Sequence, residues 1–156
     1  MKTACTNKEI LQWAIAELGK ENRMEAELLL CHVLDINRAL LLAHDTDSIG
    51  ADKAEAYRTL VARRKAGEPF QYLLGSANFM GLDFIVTPDV LIPRDDTCAV
   101  ADLAIQQSLF LDSKPRILDL CTGSGCIGLA IASRVKDAKV TLADLSQEAL
   151  NVAKQN

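Results

Sequence analysis

The stretch RILDLCTGSGCIGLAIASRV, residues 116–135, predicts the first turn of a nucleotide-binding α/β sheet. The apolar run at 116–120 is typical of a buried strand, the small residues at 121–125 of a turn, and the apolar run that follows of a helix. Residues 139–143 predict a second strand that ends on Asp144, and Ser146 can cap the next helix. Strand, glycine-rich turn, helix, strand and terminal acid together indicate the first part of a Rossmann-like domain.

The turn has the residue types that a nucleotide site needs. Gly123 and Gly125 lack a Cβ atom, so the backbone can turn sharply and approach a ligand closely. Asp144 follows the neighbouring strand, where a carboxylate can accept two hydrogen bonds from ribose hydroxyls. The alternative is a tight turn that binds no ligand. In that case the glycine-rich turn, the strand and helix beside it and the acid after the next strand would occur together by coincidence.

Two cofactor classes fit the turn. Gly123, Gly125 and Gly128 match the G-x-G-x-x-G spacing of NAD-binding proteins, which carry an acid about 20 residues further on. The second class is the S-adenosylmethionine-binding proteins. Asp119 favours this class, because dinucleotide binders usually have an apolar residue at this position in the strand. A buried acid needs a partner, and the ammonium group of S-adenosylmethionine would supply one.

Composition limits the partners of the chain. Its 156 residues are 49% hydrophobic and 24% charged, with a formal net charge of −4 and 4% aromatic residues. This balance excludes a disordered chain and lacks the basic field and stacking surface of nucleic-acid binders. The five cysteines are odd in number and irregularly spaced, which predicts reduced thiols, a cytoplasmic protein and no metal site. No apolar run approaches the ~20 residues that span a membrane.

Residues 1–75 predict a helical bundle, since apolar residues recur there at helical spacing. Thr6 and Glu9 form a capping-box pattern at the first helix, in which Trp13 is expected to face inward. The basic run at 63–65 has two interpretations, namely favourable charges at the end of a helix or a patch for an acidic or RNA partner. Beyond the bundle, residues 76–94 predict a β-hairpin and linker. A helix is expected from Asp95 to about residue 109.

On these residues the chain resembles the HemK/PrmC family, the N5-glutamine methyltransferases of peptide release factors. The resemblance rests on GEPFQYLLG (67–75), FMGLDF (79–84), VLIPR (90–94) and ILDLCTGSG (117–125). It implies a helical domain that helps to dock the release factor at 1–75, a hairpin linker at 76–94 and the first part of an α/β Rossmann-like methyltransferase domain at 95–156.

The activity implied by the resemblance is methyl transfer from S-adenosylmethionine to the glutamine of the Gly-Gly-Gln motif in class 1 release factors. The family's Asn-Pro-Pro-Tyr motif, which carries the chemistry, is expected downstream of Asn156, so no catalytic residue is assigned in this chain. Arg94 is a further cofactor candidate, and an ion pair with Asp95 or Asp96 is its alternative role. The residues expected to face the cofactor are Asp119, Cys121, Thr122, Gly123, Ser124 and Gly125 at the methionine end, and Asp144 at the ribose.

Three positions depart from the family pattern. Asp95 and Cys98 replace a proline and a glutamate, and Cys121 replaces a glycine, which should be tolerated if its φ is negative. We expect an N-terminal fragment that is inactive alone and self-associates through an exposed sheet edge, with Leu118 and Leu120 in the sheet core. A fragment of a NAD-dependent enzyme and a non-enzymatic helical docking module are the alternatives.

Overall fold

The computed structural model describes residues 5–110 and 114–156, and the chain divides between Leu74 and Gly75 into a helical unit and an α/β unit. The first helix is fixed by its predicted capping box, because the Thr6 hydroxyl accepts from the Glu9 N–H at 3.2 Å while Glu9 Oε2 accepts from the Thr6 N–H at 2.8 Å. The helical unit comprises α1 (Asn7–Leu18), a 3₁₀ turn (Lys20–Asn22), α2 (Arg23–Leu34), α3 (Arg38–Ala43), α4 (Ala51–Lys65) and α5 (Phe70–Leu74).

The core of the helical unit forms where α1, α2 and α4 bring their apolar faces together. Tyr57 is completely buried there, and its hydroxyl donates to the Ala26 carbonyl at 2.9 Å. Trp13 is not part of this core. Its side chain is 36% exposed, and the Arg58 guanidinium lies 5.9 Å from the ring centroid in a cation–π contact.

A carboxylate, Glu27, is also fully buried in α2, which the helical periodicity does not predict. Its two oxygens accept from Arg23 Nε at 2.8 Å and Arg38 Nε at 2.5 Å. Burial alone would raise the pKa of Glu27, but the two arginine hydrogen bonds outweigh it and hold the pKa below its ordinary value. The charge therefore stays in the core because two partially exposed cations hold it there.

The basic run at the end of α4 is engaged within the helical unit. Arg63 pairs with Glu68, Arg64 with Glu25 and Lys65 with Glu17, each at 2.6 Å. These acids neutralise the three cations, so the run does not form an open basic patch.

The α/β unit begins with an antiparallel hairpin, β1 (Ser76–Phe79) and β2 (Leu82–Ile85). The connecting residues Met80 and Gly81 both have positive φ, 52° and 82°, as a two-residue type I′ turn requires. The predicted helix starts with a 3₁₀ turn (Asp95–Thr97) and continues as α6 (Cys98–Leu109), and no side chain caps its N-terminus. The remaining elements are β3 (Arg116–Leu120), α7 (Cys126–Arg134), β4 (Lys139–Ala143) and α8 (Gln147–Gln155).

Strands β3 and β4 pair in parallel, with Asp119 opposite Leu142. The face that carries these two side chains packs on α7. The opposite face is open in the part of the chain that the structure describes, since Leu118 is 62% and Leu120 70% exposed. The prediction that these two leucines are buried is therefore wrong, because side chains alternate across a strand and the helices cover one face.

Candidate functional site

The glycine-rich turn joins β3 to α7 through three residues in the left-handed region, Cys121, Gly123 and Gly125, with φ of 60°, 55° and 83°. The Thr122 N–H donates to the Ala143 carbonyl at 3.0 Å, which fixes the turn to the end of β4. The Gly125 N–H donates back to the Thr122 carbonyl at 2.9 Å. These bonds place the turn at the carboxyl ends of two parallel strands, where nucleotides bind in open α/β sheets.

The condition under which Cys121 should be tolerated, a negative φ, is not met, because its φ is 60°. Its side chain is exposed, and its backbone occupies a conformation that costs an L-residue about 1–2 kcal/mol. A glycine at this position would adopt the same conformation without that cost. The turn thus keeps its shape despite the cysteine and carries local strain.

Asp119 finds hydrogen-bond partners inside the chain. Its Oδ2 accepts from the Thr122 hydroxyl at 2.7 Å and from the Gly128 N–H at 2.9 Å. One oxygen of this half-buried acid is therefore satisfied by the protein, so a ligand ammonium is not required to explain it. The carboxylate nevertheless ties β3 to the start of α7 and orients Thr122, which is itself buried.

Gly128 brings α7 close to the sheet. A Cβ atom there would lie 3.0 Å from Asp119 Oδ2, 3.1 Å from Val140 Cγ1 and closer still to Leu142. A side chain here would have to displace Leu142 and would crowd Asp119 and Val140, so the glycine lets the helix hold its first turn close to β3 and β4.

Asp144 lies directly after β4 and binds the turn. Its Oδ2 accepts from the Gly123 N–H at 2.9 Å and its Oδ1 from the Ser146 N–H at 3.0 Å. The Gly123 N–H, followed by that of Ser146, lowers the pKa of Asp144 below its usual value, so the group is anionic at neutral pH. A carboxylate offers about four lone-pair positions, which leaves acceptors on both oxygens for a diol.

The turn also holds a buried hydroxyl. Ser124 is 2% exposed, and its Oγ has no nitrogen or oxygen partner among the described residues. Burial raises the pKa of the neighbouring Cys126 thiol, and a hydrogen bond from the Ser124 side chain opposes that rise. Since sulfur is only a weak hydrogen-bond partner, the Ser124 hydroxyl keeps capacity for a polar ligand or a water molecule at the turn.

Arg94 is exposed, and within the described residues no ion pair joins it to Asp95 or Asp96. No hydrogen bond links its side chain to the turn either. The geometry therefore brings six of the sequence-predicted residues together with Asp144, and none of these seven is bonded to the Arg94 side chain in the described structure.

Sequence analysis missed one residue at the turn. Asn156, directly after α8, donates from Nδ2 to the Ser124 carbonyl at 2.9 Å. An asparagine that follows a helix gives no periodic signal, and only the tertiary structure brings it to the turn.

No helix in the described ranges is long and apolar enough to cross a membrane. Over the same residues, no group of three or more His, Cys, Asp or Glu side chains is arranged to hold a metal ion.

Comparisons with known proteins match both units. The family model for the PrmC N-terminal domain matches residues 9–75, and that for the methyltransferase small domain matches residues 101–156. These matches confirm the resemblance and the predicted order of a helical domain followed by the start of a methyltransferase domain.

Curated relatives of the chain carry the name release factor glutamine methyltransferase, and three of them illustrate the match. The Bordetella pertussis protein is 50% identical over 134 residues, which are 86% of this chain and 49% of the relative. The Geobacter sulfurreducens protein is 39% identical over 155 residues, 97% of this chain and 54% of the relative. The Chlorobaculum tepidum protein is 40% identical over 160 residues, which cover 92% of this chain and 54% of the relative. The chain thus spans about half the length of the curated relatives it matches.

Proposed function

This chain is homologous to release factor glutamine methyltransferases over about half of their length, and we propose on that premise that it supplies the cofactor-binding turn of an S-adenosylmethionine-dependent protein methyltransferase. The observation that carries the proposal is the anionic Asp144, held against the glycine-rich turn by the Gly123 N–H. In this role its free lone pairs accept hydrogen bonds from the ribose hydroxyls.

The remaining turn residues have complementary roles in the proposal. Asp119, Cys121, Thr122, Ser124 and Gly125 face the methionine end of the cofactor. Asp119 retains Oδ1 for an ammonium group, while its Oδ2 holds Thr122 and α7. The cofactor, when bound, supplies a methyl group on a positively charged sulfur.

The proposed methyl acceptor is the side-chain amide nitrogen of the glutamine in the Gly-Gly-Gln motif of a class 1 release factor. This nitrogen is a poor nucleophile, since its lone pair is delocalised into the carbonyl. Rate acceleration must therefore come largely from orienting the amide in line with the sulfonium methyl. The motif Asn-Pro-Pro-Tyr does not occur in the 156 residues, so we assign no acceptor-binding group to this chain.

The proposed partner is the release factor itself, docked with the help of the helical unit that matches the PrmC N-terminal domain. Cytoplasmic placement is proposed because the five cysteines are all free thiols. Self-association is proposed through the exposed face and free edge of the β3–β4 sheet.

Calorimetry with the chain tests the cofactor. We expect S-adenosylmethionine to bind and NAD not to bind. Asp144→Asn should weaken binding about 10- to 150-fold, the range for a hydrogen bond to a charged group. Asp137→Asn is the matched control, because Asp137 precedes β4 at its other end and, among the described residues, forms an ion pair only with Lys114 at 3.8 Å. Preferential NAD binding would overturn the proposal.

Methyl transfer is tested in a chimaera, with this chain followed by the part of the Bordetella pertussis relative that lies beyond the match. Labelled S-adenosylmethionine and a class 1 release factor should yield label on the Gly-Gly-Gln glutamine. The same chimaera with Asp144→Asn should lose the label at low cofactor concentration. A chimaera that binds the cofactor and leaves the glutamine unmodified would contradict the proposed substrate.

A further inference from the structure

The amide side chain of Asn156 connects two parts of the α/β unit that are distant in sequence. Its Oδ1 accepts from the Ile85 N–H at 2.7 Å, and its Nδ2 donates to the Ile85 carbonyl at 3.1 Å. The same Nδ2 donates to the Ser124 carbonyl at 2.9 Å. Both amide hydrogens and the amide oxygen are thereby used, 71 residues from the hairpin and 32 from the turn.

On the hairpin side, Asn156 acts as a substitute for a neighbouring strand. Ala77 lies opposite Phe84, and the Val86 N–H donates to the Gly75 carbonyl, so the backbone groups of Ile85 point away from β1. An asparagine amide has the same donor and acceptor as a peptide group and satisfies both edge groups of Ile85. The hairpin edge therefore provides a fixed support for the side chain.

On the turn side, the bond to the Ser124 carbonyl sets the orientation of a peptide plane. That carbonyl shares its plane with the Gly125 N–H, because the peptide bond is planar. Gly123 and Gly125, on either side of Ser124, both have positive φ. Because glycine adopts other conformations as readily, the backbone alone does not fix this one. A bond that holds this plane also holds the Gly125 N–H on the Thr122 carbonyl and Ser124 in its buried place.

We propose that Asn156 is a positioning residue that holds the glycine-rich turn in its cofactor-receiving shape by supporting it on the edge of the hairpin. The cofactor part of this inference rests on the proposed function, whereas the shape of the turn does not. An amide is required, since an aspartate would set a second acceptor against the carbonyls of Ile85 and Ser124. In this proposal Asn156 acts through its bonds to Ile85 and Ser124 and has no direct part in the chemistry.

Amide hydrogen exchange and calorimetry on the 156-residue chain test the proposal. Asn156→Asp and Asn156→Ala should speed exchange at Gly123 and Gly125 by about 5- to 30-fold, the factor for losing one or two hydrogen bonds. The affinity for S-adenosylmethionine should fall by a similar factor. Exchange in the middle of α7, at Ala130 and Ile131, should not change.

Asn151→Ala is the matched control. Asn151 lies in α8, the helix that Asn156 follows, and among the described residues its side chain hydrogen-bonds only with Gln147. This variant should leave exchange at the turn and cofactor affinity unchanged, and circular dichroism should show that all variants fold.

Unchanged exchange at Gly123 and Gly125 in both Asn156 variants would overturn the proposal. Equal acceleration throughout α7 and the turn would also overturn it, because Asn156 would then only stabilise the fold. Failure of the unsubstituted chain to bind S-adenosylmethionine would count against the proposed function and the cofactor part of the inference, while the exchange data would still decide the support of the turn.

Discussion

Replacing Cys121 by glycine is expected to stabilise the α/β unit. A φ of 60° costs an L-residue about 1–2 kcal/mol, and glycine adopts it freely. The greater freedom of glycine in the unfolded chain costs about 0.4–1 kcal/mol in return. Because the cysteine side chain is exposed, its removal forfeits little burial. The difference is a gain of about 0.8 kcal/mol in the free energy of unfolding.

The assay must report on the α/β unit separately. The single tryptophan, Trp13, and both tyrosines lie in the helical unit, so fluorescence follows that unit alone. Urea unfolding of the α/β unit should therefore be followed by nuclear magnetic resonance at the Ala130 amide. The Trp13 fluorescence transition is the internal reference and should be the same in variant and parent.

Cys121→Ala separates the backbone from the thiol. Alanine keeps the Cβ atom and hence the backbone strain. The free energy of unfolding of this variant should therefore lie within about 0.5 kcal/mol of the parent value, as for an ordinary surface change. A glycine variant that is less stable than the parent would refute the argument from φ. An alanine variant as stable as the glycine variant would show that the thiol is the source of the cost.

Three further outcomes follow from the packing. Gly128→Ala should destabilise the α/β unit by about 1–3 kcal/mol, because the new methyl group meets Leu142, and urea unfolding should show it. Glu27→Gln should destabilise the helical unit by about 1–3 kcal/mol at pH 7. The pKa of Glu27 in the folded state lies below its unfolded value of 4.5. The ionised carboxylate therefore contributes fully to the free energy of unfolding above pH 4.5, and this contribution is lost as the pH falls through the folded-state pKa. The difference between Glu27→Gln and its parent should therefore shrink in acid, and an equal difference at all pH values would contradict the pairing. Leu118→Gln should reduce self-association in sedimentation experiments without lowering stability, because this side chain is 62% exposed.

Features that depend on neighbours within a few residues are predictable from the sequence. The capping box at Thr6, the hairpin that follows the helical bundle and the order of β3, turn, α7 and β4 all appear as predicted. Each is encoded by a short spacing, such as a cap three residues from its acid or a glycine in a turn. The resemblance to the HemK/PrmC family rests on such short motifs, and the comparisons confirm it. The residues assigned to the cofactor remain a prediction.

Only the tertiary structure decided how those residues are held. Glu27 is buried because arginines 4 and 11 residues away converge on it, and Asn156 reaches the turn across 32 residues. Leu118 is open because helices cover one face of the sheet, and Cys121 takes a positive φ because the bonds around it fix the turn. Periodicity records which side of an element is apolar. It does not record which distant polar group completes a hydrogen bond, because that depends on the folded positions of separate elements.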